Sequence, residues 1–308
     1  MPTSKTTTWL NTVDPYLIKR LALYKALFIT TLMVYAFWLM RPNNLTAFVV
    51  PIFLMAFYEA PILKTYREKD FLFGFMSIAL IVGGVSFYLL FPFKFYFLFY
   101  ALAYFACVYY FVNKWFPSIK ALTMLVVINA AIETGTTPAA SLQIVFEMIF
   151  ASCLSFAIIF VCFKKLPNKN TSIWLRALTK YIACLEQEIA MLLSSSPKTF
   201  LYEEVRHINM LRAYQSLIPK QHIMHAHRIG VCIRNLQFAL DNSLTEQAND
   251  VFWHAVQKAL QQYRIAIEKK RPITLQTIEL NKPSALQKQV LHYLKTTSIH
   301  WNKLCKIL

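Results

Sequence analysis

Long apolar runs constrain this chain more than any other feature. Between residues 21 and 163, several runs approach or exceed the roughly 20 residues needed to cross a hydrocarbon core about 30 Å thick. The composition agrees, since 57% of the 308 residues are apolar and the mean hydropathy is +0.42, which is not typical of a soluble domain of this length. The sequence therefore predicts an all-α membrane protein.

The apolar runs end at residue 163, and this point divides the predicted domains. We predict a cytoplasmic N-terminal segment at 1–20, a six-helix transmembrane domain at 21–163 and a basic cytoplasmic helical domain at 164–308. Polar and helix-breaking residues separate the six predicted spans, which lie at 21–40, 44–63, 71–91, 93–112, 117–134 and 141–163. Their short connections pair the spans as three hairpins.

Beyond residue 163 the apolar residues recur at intervals of three and four, which is the spacing of an amphipathic helix. Leu178, Ile182, Leu185 and Ile189 follow this spacing in the first predicted helix of this region. Further helices are predicted near 201–217, 219–240, 244–269 and 284–306. The second half of the chain is therefore predicted to be a helical bundle.

The charges in the connections orient the predicted spans. If the N-terminus is cytoplasmic, the outer connections carry only Arg41 and Lys94, whereas the inner segments carry Lys5, Lys19, Arg20, Lys64, Arg67, Lys69, Lys114, Lys120, Lys164, Lys165 and Lys169. Cytoplasmic loops of membrane proteins carry an excess of Lys and Arg. Both termini are therefore predicted to be cytoplasmic.

The formal net charge of +17 is concentrated in the second half, where 21 Lys and Arg face 9 Asp and Glu, against 11 and 6 in residues 1–163. A basic domain attached to a bilayer is expected to face anionic lipid headgroups. Nucleic acid is not an expected partner, because no recognition motif accompanies the charge. Six scattered cysteines without short spacings indicate neither a disulfide framework nor a zinc site.

Ionisable residues at membrane depth are costly and are functional candidates by default. Lys25 and Glu59 each lie 17 residues from a predicted turn near residue 42, so they are expected at matching depth near the cytoplasmic side. They are candidates for an ion pair at the inner mouth of a pathway. The alternative is that Lys25 reaches the cytoplasmic headgroups and Glu59 ends its helix.

Two carboxylates, Glu133 and Glu147, fall on opposite arms of the third predicted hairpin, with no lysine or arginine nearby. Neighbouring carboxylates raise one another's pKa, and burial raises it further. The pair is therefore a candidate for loading and releasing a proton. In the alternative, both side chains are protonated or water-exposed at an outer vestibule, or Glu147 hydrogen-bonds Asn129.

Small residues let membrane helices approach closely. Three of the five glycines lie in the third predicted span and are predicted helix-packing positions: Gly74, Gly83 and Gly84. Three histidines cluster later in the chain without an acidic or cysteine ligand beside them, at His222, His225 and His227, so no metal site is expected. Nucleotide-binding and catalytic motifs are absent, so we predict neither a cofactor nor an enzyme.

Several segments together resemble one membrane-protein family. The basic start "LIKRLALYKAL", the first hairpin "RPNNLTAFVVPIFLMA", the charged inner loop "KTYREKD", six short-looped spans and a helical tail resemble the fusaric acid resistance or aromatic acid exporter family over residues 15–195. In residue detail, Arg67 and the pair Gly83 and Gly84 match loosely. The resemblance implies proton-driven efflux of aromatic or other organic acids across a bacterial inner membrane, beside a periplasmic adaptor protein.

Many members of that family carry two six-span units in one chain, whereas this sequence contains one. The resemblance therefore implies a homodimer. In this hypothesis Lys25, Arg41 and Lys94 attract anions. The aromatic fourth span, "FPFKFYFLFYALAYFACVYYFV", either lines a pathway or faces lipid. The alternative functions are a passive organic-anion channel of the same layout and a membrane-anchored scaffold whose basic domain binds lipid or a partner.

Overall fold

The computed structural model describes residues 9, 12–41, 48, 51–52, 63, 65–136, 141–166, 169–194, 201–243, 250–274 and 283–306, apart from the side chains at 133–136, 201–203 and 243. Every regular element within these residues is a helix, which confirms the all-α prediction. The chain divides into an apolar unit, Ile18–Pro167, and a basic unit, Met1–Leu17 with Asn168–Leu308. The N-terminal residues, predicted as a separate segment, thus group with the second half of the chain.

The apolar unit contains five described helices: α1 (Ile18–Met40), α2 (Tyr66–Leu90), α3 (Lys94–Trp115), α4 (Lys120–Thr136) and α5 (Leu142–Lys165). Four of them, α1, α2, α3 and α5, are long and apolar enough to span a membrane, and they coincide with the first, third, fourth and sixth predicted spans. The fifth predicted span corresponds to α4, which is shorter because a 3₁₀ turn at Pro117–Ile119 precedes it. Most of the second predicted span, 44–63, lies outside the described residues.

Helix α2 is the centre of the apolar unit, since it packs against α3, α4 and α5, while α1 packs against α5. Met76 and Leu80 of α2 are buried in the same core as Val127 of α4 and Ile159 of α5. In a bilayer the lipid tails are as apolar as these side chains, so close packing rather than burial from water stabilises such contacts.

Polar groups fix the start of α2. The Thr65 side chain accepts a hydrogen bond from the Glu68 backbone amide, and Glu68 places a negative charge in the first turn. Two residues after Glu68, Asp70 forms an ion pair with Lys164 in the last turn of α5, with 2.6 Å between Asp70 Oδ2 and Lys164 Nζ. This pair holds the start of α2 beside the end of α5.

The basic unit contains five described helices: α6 (Asn170–Leu193), α7 (Leu201–Gln215), α8 (Lys220–Ser243), α9 (Asp250–Glu268) and α10 (Ala285–Cys305). Helix α6 packs against α7 and α9, and α8 packs against α10. The largest fully buried side chains of this unit are rings: Trp174, Tyr181, Phe252, Tyr263 and Trp301. Burying a ring of this kind contributes about 1.5–3 kcal/mol, so these side chains explain why the helices associate.

Candidate functional site

A cavity inside the apolar unit is the candidate site. It has a volume of about 40 Å³ and lies among α2, α3, α4 and α5. The described residues that line it are apolar or aromatic, apart from one hydroxyl on α3 and one on α5, and none of them is charged: Pro51, Leu80, Ile81, Gly83, Gly84, Phe87, Tyr104, Val127, Ala130, Ala131, Met148, Ile149, Ser152 and Phe156. A cavity of this size has room for water, whereas an apolar cavity known to bind benzene measures about 150 Å³.

Gly83 and Tyr104 define one wall of the cavity. A Cβ atom at Gly83 would lie 2.5 Å from the Tyr104 hydroxyl oxygen. That hydroxyl donates a hydrogen bond to the Ala79 carbonyl oxygen, at 2.6 Å, one turn before Gly83 on α2. The glycine therefore lets the tyrosine of α3 reach the backbone of α2.

An aromatic cluster surrounds this contact. The Phe87 ring, which is 1% exposed, lies edge-on to Tyr104 at 5.4 Å between centroids and tilted against Phe105 at 5.9 Å. The Tyr100 and Tyr104 rings stack at 6.0 Å. Aromatic pairs prefer such edge-to-face and offset arrangements. The cavity is thus bounded on this side by the Phe87 and Tyr104 rings.

The predicted glycine positions differ from one another in the structure. Gly83 and Gly84 both line the cavity. At Gly74, nothing lies within 4 Å of where a Cβ would be, so no close contact requires a glycine there.

Glu147 lies on α5, one residue before the cavity-lining Met148, and is partly exposed. Its Oε1 accepts a hydrogen bond from Gln143 Nε2 at 3.1 Å, one turn earlier on the same helix. The backbone of Glu133 belongs to the last turn of α4, one turn beyond the cavity-lining Ala130, but its side chain lies outside the described residues. The proposed pairing of the two carboxylates stays a prediction.

The predicted cations occupy different environments. Lys25 on α1 is 3% exposed, whereas Arg41, just after α1, and Lys94, the first residue of α3, are exposed. The predicted partner of Lys25, Glu59, lies outside the described residues. A second lysine, Lys69 on α2, is also buried, at 4% exposed. The sequence predicts Lys69 as an inner-loop charge, whereas it lies within α2.

The aromatic fourth span is mostly directed away from the core. On α3 only Val108 and Val112 are buried, and many of its rings are exposed. Tyr104 is the residue of α3 that lines the cavity. No sequence signal distinguishes Tyr104 from the aromatic residues around it. The Ser152 hydroxyl was also missed, because serines are common in apolar helices.

The histidines of the basic unit make separate contacts. His225 and His300 approach with 3.1 Å between their Nδ1 atoms, His227 bonds Gln215 at 2.7 Å, and His222 is buried. Within the described part of the chain, no three His, Cys, Asp or Glu side chains converge in a way that could hold a metal ion.

Comparison with known proteins found no matching family model, no matching curated protein and no matching solved structure.

Proposed function

We propose that this chain is an exporter of aromatic or other organic acids, working as a homodimer of six-span subunits in a bacterial inner membrane. The observation that carries the proposal is the cavity among four apolar helices, lined by rings and two hydroxyls. The rings of Phe87, Tyr104 and Phe156 suit an aromatic ring, and the Ser152 hydroxyl suits the oxygen of a carboxylate.

Export in this proposal requires the cavity to widen. Its volume of about 40 Å³ is far below that of an apolar cavity of about 150 Å³, which is known to bind benzene. The described arrangement is then a closed state, in which the Tyr104 bond to Ala79 fastens α3 to α2. Movement of the Tyr104 ring opens room for a substrate, as alternating access at a buried site demands.

We assign proton coupling to Glu147 and Glu133. Glu147 directly precedes the cavity-lining Met148 on α5, and Glu133 follows the cavity-lining Ala130 by three residues on α4. A carboxylate that releases its proton on one side of the membrane and regains it on the other couples substrate movement to the proton gradient. The exposed cations Arg41 and Lys94 attract anionic substrates, and Lys25 with Glu59 closes the inner end. A periplasmic adaptor protein is a further proposed partner.

The test is flux of aromatic and aliphatic carboxylates in proteoliposomes, with and without an imposed proton gradient. We expect gradient-driven flux in the wild type that is lost in Glu147→Gln and in the double variant with Glu133→Gln. Gln143→Ala serves as the control, because it removes one hydrogen bond to Glu147 and leaves the carboxylate.

Two results would replace this proposal. Downhill flux that ignores the proton gradient and both carboxylates would establish a passive organic-anion channel. No flux of any acid, together with a basic unit whose deletion abolishes the protein's cellular role, would establish a membrane-anchored scaffold.

A further inference from the structure

A cleft of about 560 Å³ lies within the basic unit, between the start of α6, the end of α9 and the residues just before α1. We call it the basic cleft, because four cations line it: Lys169, Arg176, Lys180 and Lys270. Its volume is that of a pocket for a drug-sized ligand. It is more than ten times larger than the cavity of the apolar unit.

Helical spacing explains why the cations of α6 converge. Lys169, Arg176 and Lys180 are separated by seven and four residues, which places them on one face of the helix. Ser172 and Thr179 lie on the same face and also line the cleft. Ser172 stands between Lys169 and Arg176 in the sequence, and Thr179 stands between Arg176 and Lys180. Lys270 faces this stripe from the end of α9.

The described residues that line the cleft carry more positive than negative charge. Glu268 is the carboxylate among the described lining residues, and its Oε1 lies 3.9 Å from Arg264 Nη1 outside the lining set. Four cations against one acid give the cleft a net positive charge. Such a concave positive surface concentrates anions.

Backbone strain is also found at this cleft. Among the described residues other than glycine, positive φ occurs at Leu17 (67°), Arg41 (45°) and Lys270 (49°), and the first and last of these line the cleft. Lys270 stands just past the end of α9, where glycine is the least strained residue. The chain thus holds a cation in a conformation that disfavours any side chain, which is the kind of strain found at ligand sites.

We propose that the basic cleft binds a phosphate-bearing anion, either the headgroup of an anionic phospholipid or a soluble phosphate compound. Lysine charges and the forked donors of arginine suit phosphate oxygens, and the Ser172 hydroxyl adds a donor, whereas the Thr179 hydroxyl donates to the Leu175 carbonyl. In the sequence, Leu17 directly precedes α1 and Lys169 follows the last residue of α5 by four positions. A ligand in the cleft therefore contacts both stretches of chain that join the two units, whatever the apolar unit transports.

The test uses the full chain purified in a neutral detergent and two probes. Inorganic pyrophosphate is titrated by calorimetry, and phosphatidylglycerol is titrated by native mass spectrometry against phosphatidylcholine. The cleft variant is Arg176→Gln with Lys180→Gln. The control variant is Lys258→Gln with Lys295→Gln, which removes two exposed lysines of α9 and α10 that do not line the cleft.

We expect the cleft variant to bind at least one probe about 25-fold more weakly, the product of roughly fivefold for each of the two lost charges. The control variant should bind within about twofold of the wild type. Loss for pyrophosphate identifies a soluble phosphate ligand, and loss for phosphatidylglycerol alone identifies a lipid headgroup. Equal affinities in the cleft and control variants for both probes would overturn the proposal.

Lys270→Gly gives a second measurement that does not depend on the first variant folding. Glycine relieves the left-handed conformation, so the unfolding temperature should rise while the affinity falls about fivefold. A structural role for Lys270 alone would move stability without moving affinity. A gain in stability with unchanged binding of both probes would therefore also overturn the proposal.

Discussion

At Gly83, the lack of a side chain is required by a neighbour on the next helix. The Tyr104 hydroxyl and ring carbon Cζ would lie 2.5 and 2.7 Å from a Cβ atom at this position. The Tyr104 ring must therefore move if any other residue replaces the glycine. Its hydrogen bond to the Ala79 carbonyl would then be lost, which leaves the partly buried Tyr104 hydroxyl without this acceptor, whereas the carbonyl keeps its bond within α2.

We expect Gly83→Ala to destabilise the protein by about 1–3 kcal/mol, the range for leaving a buried polar group without its partner. Thermal unfolding of the purified protein in detergent measures this. Gly74→Ala is the matched control on the same helix, because nothing lies near its Cβ position and alanine favours the helix. Equal losses in the two variants would contradict the role given to Tyr104.

His300 makes the basic unit sensitive to acid. Burial, and then the charges of His225, Arg228 and Lys303, lower the pKa of His300 below its ordinary value. The folded state thus keeps His300 neutral at a pH where the unfolded chain protonates it. Stability from this group is present above the unfolded pKa of about 6.5 and is lost as the pH falls below it.

The expected result is a fall in unfolding temperature between about pH 7 and pH 5 that is smaller in His300→Gln than in the wild type. The fluorescence of Trp301, which is buried beside His300 on α10, follows the unfolding. His254→Gln, an exposed histidine of α9, should keep the wild-type pH dependence. If both variants retain the full fall, another group is responsible.

At the scale of single residues, the sequence indicates a helix-packing position more readily than it indicates which side chain packs there. The "VGGVS" stretch marks Gly83 and Gly84 as packing positions, because glycine is rare in this chain. Tyr104 could not be chosen from the sequence, since it is one of many aromatic residues on α3 and its contact with α2 depends on how the helices pack. The burial of Lys69 could not be predicted from the sequence either, because it also depends on how the helices pack.

An ion pair between Glu186 and Arg264 joins helices α6 and α9 in the basic unit. Arg264 Nε donates to both carboxylate oxygens of Glu186, at 3.0 and 3.2 Å, and the Glu186 side chain is 9% exposed. This bond raises the pKa of Arg264. A charged group left alone at such a depth is costly, so the pair acts as a unit.

A double-mutant cycle tests this coupling. We expect Glu186→Leu and Arg264→Met each to cost about 1.5–3 kcal/mol, and the double variant to cost less than their sum. Glu268 is a second carboxylate near Arg264; it is exposed, and its Oε1 lies 3.9 Å from Arg264 Nη1. Glu268→Gln should therefore cost less than about 0.5 kcal/mol. Strictly additive losses, measured by chemical denaturation, would show that the two side chains do not stabilise each other.

At the scale of elements, hydrophobic periodicity predicts most of what the structure describes. The five helices of the basic unit lie where intervals of three and four place them, and four long apolar runs become helices of membrane-spanning length. The ends are less predictable. The fifth predicted span is shortened at its start by Pro117 and the 3₁₀ turn, because proline removes a hydrogen-bond donor and fixes φ.

The topology of the whole molecule is directly testable. In a cysteine-free background, Lys94→Cys and Lys306→Cys place single thiols at exposed positions at the start of α3 and after α10. With both termini cytoplasmic, a membrane-impermeant maleimide should label Lys94→Cys in intact cells, and Lys306→Cys only after permeabilisation. Labelling of both, or the reverse order, would contradict the proposed orientation.

For the whole molecule, the sequence predicts the division into an apolar and a basic half from composition alone. It does not predict that residues 1–17 group with residues 168–308, because that association depends on tertiary contacts. One of them is the 2.5 Å bond between the Tyr16 hydroxyl and His207 Nδ1, which are 191 positions apart. No local pattern in the sequence marks either residue.

The unequal lengths of the apolar helices have a consequence for the surrounding lipid. Helix α4, with 17 residues, extends about 26 Å, whereas α2, with 25 residues, extends about 38 Å. The length of α4 is below, and the length of α2 is above, the roughly 30 Å thickness of a typical hydrocarbon core. In the proposed six-span arrangement, where both helices cross the bilayer, we expect the hydrophobic mismatch to be met by tilting the long helix or thinning the lipid beside the short one. We therefore expect the acyl-chain length of the host membrane to favour one tilt of α2 over another, and so to act on the cavity wall that carries Gly83.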